Sequence, residues 1–169
     1  MRDRSREYYA RLFATMRILP DWHDDVCRIV RRIRRSWDRY TGFDSPAALI
    51  AVVHNLECNG DFDRQILNGE LWKQQTILVP SSLGPWDSWA ESTVDALANY
   101  ALQNLHDLEA WNGWGYARRG VNSPYLWSGS NHGVGVGKYT SDGHYDPQAV
   151  SGQIGAALIL PALGYEDAT

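Results

Sequence analysis

Glu57 is the residue whose type and place promise the most chemistry. It ends the stretch AALIAVVHNLE, apolar nearly all round, and stands directly before Cys58, Asn59, Gly60 and Asp61. An acid is costly in apolar surroundings. A carboxyl held against an apolar wall keeps its proton to higher pH, because desolvation disfavours the charged form. The negative end of a helix acts in the same direction. A protonated carboxyl near neutral pH is what protonates the leaving oxygen when a glycosidic bond is cleaved. The bland alternative is a surface glutamate at a frayed helix end. A partner for Glu57 is less clear. Asp61 and Asp63 fall on the turn that follows, and Glu70 is expected to face solvent at a hairpin tip. Thr76 falls on the expected second strand of that hairpin, where a hydroxyl can hold an attacking water.

Other constellations are weaker. His54 and Glu57 lie three apart on one helix, which is half of a zinc site, but no HExxH arrangement completes it. No metal and no cofactor are expected. Cys58 with His132 or His144 offers a thiol amidase or peptidase. A helix C-terminus disfavours the thiolate such chemistry needs. Gly133–Gly137 lacks the Lys-Ser/Thr of a phosphate loop.

A second group of residues suits binding. The chain has eight Trp and nine Tyr against three Phe, and the first two combine an apolar ring with a polar handle. Trp114, Tyr116, Tyr125 and Trp127 crowd one glycine-rich segment with Asn112, Asn131 and His132. Stacked rings and amides of this kind make a sugar platform, either beside a catalytic group or in a non-catalytic wall-binding module.

The elements that must position these groups follow from periodicity and breakers. Tyr8, Leu12 and Met16 form a helical stripe that Pro20 ends. Asp24 and Asp25 open a second helix with Val26, Val30, Ile33, Trp37 and Tyr40 on its dry face. Ser45-Pro46 starts the buried central helix that carries Glu57. Asn68-Gly69 signals a hairpin between DFDRQIL and ELWKQQTILVP. Asp87 or Ser88 caps a helix, and LHDLEAW forms a short one. Residues 112–145 read as one long irregular segment, and Asp146-Pro147 caps a final helix over AVSGQIGAALIL. The expected class is α+β, mostly α-helical, with a central buried helix and one small β-hairpin.

Residues 1–40 hold eleven Arg against six acids, whereas the whole chain carries −4. The local excess reads as a solvated helix face, and no nucleic-acid partner is expected. Two cysteines are too few for a disulfide framework. The charged start offers no signal peptide, and no apolar run is long enough for stable membrane insertion.

Seven segments together resemble a known group: AVVHNLECNGDF (51–62), ILNGELW (66–72), QTILVP (75–80), WNGWGY (111–116), VNSPYLWSGSNH (121–132), GKYTSDG (137–143) and AVSGQIGAALIL (149–160). They are similar to the lysozyme-like superfamily, which includes goose-type lysozymes, lytic transglycosylases and chitosanases. The closer resemblance is to small bacterial and phage lysozyme-like wall hydrolases of the endolysin type. The resemblance implies a lysozyme-like fold in a single catalytic domain over 1–169, with a helical part at 1–44 and a catalytic core at 45–169. It implies Glu57 as general acid and Asn112 in the aromatic-Asn-Gly motif lining the cleft opposite. The implied substrate is peptidoglycan or a related polysaccharide, cleaved by a monomer. An endolysin would wait in the host cytoplasm before release to the wall. The departure is the second carboxylate, which leaves Asp61 and Thr76 as candidates and leaves hydrolysis, transglycosylation and chitin- or chitosan-type substrates open.

Overall fold

The computed structural model describes residues 4–141 and 143–167. Its architecture is mixed and mostly helical, with one two-stranded antiparallel sheet among the described residues. The chain forms two compact units, one over Arg31–Gln103 and one made by the described residues up to Val30 together with those from Asn104 onward. These do not coincide with the 1–44 and 45–169 parts expected from sequence.

The first unit is built round α3, Ala47–Cys58. Every residue from Ala48 to Cys58 except Glu57 is buried, as expected of a helix that is apolar on all sides. Pro46 is itself the N-cap, not the first helical residue. The last turn closes through Asn59, whose φ of 55° is left-handed. Asn59 N donates to Asn55 O at 3.0 Å and Gly60 N to His54 O at 3.1 Å, which satisfies the end carbonyls. α4, Trp89–Asn99, starts where the sequence indicated. Ser88 Oγ accepts from Glu91 N at 3.0 Å, and the Glu91 carboxylate accepts from Asp87 N at 2.7 Å. That arrangement is a variant of the capping box.

The hairpin expected at Asn68-Gly69 is absent. The turn forms, but only one isolated antiparallel bridge, Arg64–Leu71, accompanies it. Side chains have displaced the ladder. Gln65 Oε1 accepts from the amides of Leu67 and Asn68 at 2.6 and 3.3 Å. The Glu70 carboxylate accepts from Ile77 N and Leu78 N at 3.1 and 3.0 Å. Side chains that bond to nearby backbone compete with sheet in this way.

The second unit packs α1 (Arg6–Ala14) on α5 (Leu105–Trp111), and α7 (Pro124–Trp127) on α8 (Ala156–Ile159). α6 (Gly115–Arg119) lies between α5 and α7 in sequence. The helix α2, His23–Arg35, begins where the sequence indicated but ends before Trp37 and Tyr40, which lie in a separate 3-10 turn, Trp37–Tyr40. The segment 112–145, expected to be irregular, holds α6, α7 and the sheet. Strand β1, Lys138–Ser141, pairs antiparallel with β2, His144–Asp146, with Tyr139 opposite Tyr145 and a register shift after Tyr139. The final helix is far shorter than expected. A Cβ on Gly155 would lie 2.4 Å from Leu126 O, so this close approach keeps the chain extended until α8 begins. No helix among the described residues is long and apolar enough to cross a membrane.

Candidate functional site

Glu57 is half-buried, and every other residue from Ala48 to Cys58 is buried. The neighbouring side chains of that turn are fixed. His54 is fully buried and packs on Tyr40, Phe62 and Trp89 with ring centroids 4.5 to 5.7 Å away. Its Nε2 lies 2.9 Å from Asp61 O and its Nδ1 lies 2.9 Å from Tyr40 Oη. A carbonyl only accepts, so Nε2 carries the proton and Nδ1 accepts from the tyrosine. Burial pushes the imidazole down to about 4. His54 is therefore a neutral core strut. No cluster of three potential metal-binding side chains occurs among the described residues.

Cys58 donates its thiol to His54 O at 3.3 Å. Burial, and next the negative charge of Glu57, push that thiol up to about 12. A thiol so disfavoured as thiolate is a poor nucleophile.

Gly69 braces the end of α3. Its φ is +74°, and a Cβ there would meet the Glu57 carbonyl oxygen at 2.7 Å. Gly69→Ala is expected to cost about 1–2 kcal/mol from the left-handed backbone alone, with more from the clash. Its thermal midpoint should fall, and an unchanged midpoint would show that the turn does not press on the helix end.

The residues expected to assist Glu57 have other work. Asp61 Oδ1 accepts from Asp63 N at 2.9 Å and Oδ2 pairs with Arg64 at 3.4 Å. Thr76 is 3% exposed. Its hydroxyl donates to Pro80 O at 2.9 Å and accepts from Leu83 N at 3.0 Å, so it organises its own loop. Glu70 is not a solvent-facing tip, since its carboxylate holds the same loop through Ile77 N and Leu78 N. Between these anchors Ile77, Leu78 and Val79 are 83, 56 and 90% exposed.

The expected sugar platform, which lies in the second unit, divides. Trp127 is fully buried and is a core residue, as α7 is inserted ring-first beside α8. Asn131 is a tie: its Oδ1 accepts from Arg17 N at 2.7 Å and its Nδ2 donates to Thr15 O at 3.2 Å. His132 Nε2 lies 3.1 Å from Thr15 Oγ1, so it ties the same segment. Trp114 is half-buried, edge-on to His106 at 4.9 Å, with a left-handed φ of 62°. Asn112, Tyr116 and Tyr125 do come together, lining one cavity with Lys138, Tyr139 and Gln153.

Sequence reasoning missed Glu109. It is fully buried on α5, and neither carboxyl oxygen has a hydrogen-bond partner among the described residues. Burial raises it to about 7 against the weaker pull of Arg4 and of the nearby Ala117 amide, which approaches without hydrogen-bond geometry. Spacing could have exposed it, because Glu109 follows Leu105 by four residues and so shares a helical stripe with it.

No family model, no curated protein and no solved structure matches the chain.

Proposed function

We propose that the protein is a lysozyme-like glycoside hydrolase of peptidoglycan in which Glu57 is the general acid. The observation that carries this reading is the placement of Glu57. A single carboxyl emerges at the C-terminal end of an otherwise buried helix, where a proton donor can be presented from a fixed position. The rigid helix end holds it in place. The resemblance of the segments round Glu57 and Asn112 to lysozyme-like wall hydrolases supplies the substrate class.

One observation favours a second route on the same substrate. Thr76 was the candidate for holding the attacking water, and its hydroxyl is committed to Pro80 and Leu83. In the alternative, Glu57 gives its proton to the leaving oxygen and then takes one back from the muramic acid's own hydroxyl, which closes an anhydro ring without water. Digestion of purified peptidoglycan, followed by borohydride reduction and mass spectrometry, separates the possibilities. Reducible muramic ends are the expected product of hydrolysis, and anhydromuramic ends indicate the internal route. Release of stem peptides alone, or binding without soluble glycan fragments, would overturn the proposed function.

A further inference from the structure

The loop that follows Thr76 turns its aliphatic side chains outward. Residues 74–86 contain no charged side chain. At the tip Ile77, Leu78 and Val79 are all exposed. The other large apolar side chains exposed among the described residues, Val94, Tyr100, Val134 and Val150, stand singly in sequence. Single ones are ordinary on a protein surface, whereas a contiguous patch marks a surface that meets something apolar.

The loop holds this shape with its own polar groups. Ile77 N and Leu78 N donate to the half-buried Glu70 carboxylate at 3.1 and 3.0 Å, and Asn68 Nδ2 donates to it at 3.1 Å. Three donors thus occupy that charge. The Pro80 carbonyl accepts from Thr76 Oγ1 at 2.9 Å and from Asn68 Nδ2 at 3.4 Å. The Leu78 carbonyl shares the same Nδ2 at 3.4 Å, and Pro80 brings no amide hydrogen. An exposed loop in water needs none of these partners, because water serves. In hydrocarbon an unmet backbone group is costly.

The base of the loop has a different make-up. Trp86 N donates to Trp72 O at 3.0 Å, so two half-buried tryptophans stand where the loop leaves and rejoins the fold. The Trp86 ring closes over Gly84, where a Cβ would meet it at 2.7 Å. Trp72 Nε1 donates to Phe62 O at 2.8 Å, and Lys73 Nζ lies 4.8 Å from the Trp72 ring centre. Aliphatics at the tip, tryptophans behind them and a lysine beside the tryptophans match the layers of a bilayer: hydrocarbon, interface and headgroup phosphate. A groove in a protein partner would call for the tip alone.

We infer that this loop is a lipid anchor, with Ile77, Leu78 and Val79 entering one leaflet of a phospholipid bilayer and Trp72, Trp86 and Lys73 resting among its headgroups. Such an anchor attaches the chain to the surface and does not span it. The inference goes beyond the glycan reading and does not rest on it.

The test is co-sedimentation of the full chain with vesicles of phosphatidylcholine alone and of phosphatidylcholine mixed with phosphatidylglycerol. The chain is expected to bind both and to stay bound in about 1 M salt, where the screening length is about 3 Å. Ile77→Ser combined with Val79→Ser should lower the partition coefficient about ten-fold or more, the scale of losing buried aliphatic side chains. Val94→Ser, on the exposed face of α4, should leave it unchanged. All three side chains are exposed, so both variants should keep the parent's thermal midpoint. Brominated acyl chains should quench the tryptophan emission of the parent, and that of Trp86→Phe less. Absence of binding, binding that salt abolishes, or equal binding by the double serine variant would each overturn the anchor. So would a dimer in sedimentation that the double variant dissolves, because the tip would then meet a second copy of the chain.

Discussion

Glu57→Gln is expected to fold like the parent protein and to clear peptidoglycan slower by a factor of about 10² or more, the usual scale for losing a general acid. Glutamine keeps the shape and removes the transferable proton. The architecture of the site explains why the fold should survive. The end of α3 is held by backbone bonds from Asn59 and Gly60, by the buried His54 and by the close approach of Gly69. Glu57→Asp should also be slow, because it withdraws the carboxyl by one methylene from the position that the helix fixes. Turbidity clearing and thermal unfolding are measured together. A Gln variant with a normal midpoint and clearing within a few-fold of the parent would remove Glu57 from the chemistry.

The legible part of this molecule was the part governed by one dominant force. The burial of α3 follows from its nine apolar residues, Ala47–Val53, Leu56 and Cys58, which leave water no face to claim, and Glu57 is the one charged residue in that run. The caps of α4 were equally plain, since Ser88 and Glu91 act locally. Where side chains compete with backbone, pattern failed. Asn68-Gly69 promised a ladder, but Gln65 and Glu70 bind the amides such a ladder would use. Thr76 looked free because its partners, Pro80 O and Leu83 N, are brought to it only by the loop's own curl. The sheet at β1 and β2 was hidden by the shortness of its strands and by the glycine-rich run before them. Within the aromatic segment, type alone did not separate Trp127, which is core, from Tyr116 and Tyr125, which line a cavity.

Glu109 gives the largest expected effect on stability. Its carboxyl is raised to about 7 in the folded protein against an ordinary value of 4.5. Below 4.5 both folded and unfolded chains hold the proton, so the group is neutral to stability there. Between 4.5 and 7 only the folded state keeps it, and the folded state then binds more protons. Stability must therefore fall as pH climbs through that window, by about 3 kcal/mol at full effect. His54 runs the opposite way. Its folded value of about 4 lies below the ordinary 6.5, so the unfolded state binds more protons between those limits and stability rises with pH. The two buried groups partly cancel in the parent protein. Glu109→Gln keeps the buried shape, removes the charge and leaves His54 unopposed. The variant should gain stability relative to the parent as pH rises from 5 to 8, reaching about 2–3 kcal/mol at pH 8 after allowance for the Arg4 charge it leaves behind. Urea unfolding of both proteins across that range measures the difference directly, and the contribution of His54 drops out of the comparison. Parallel stability curves from pH 5 to 8 would mean that Glu109 is ionised at no cost in its buried site, although its oxygens have no hydrogen-bond partner among the described residues.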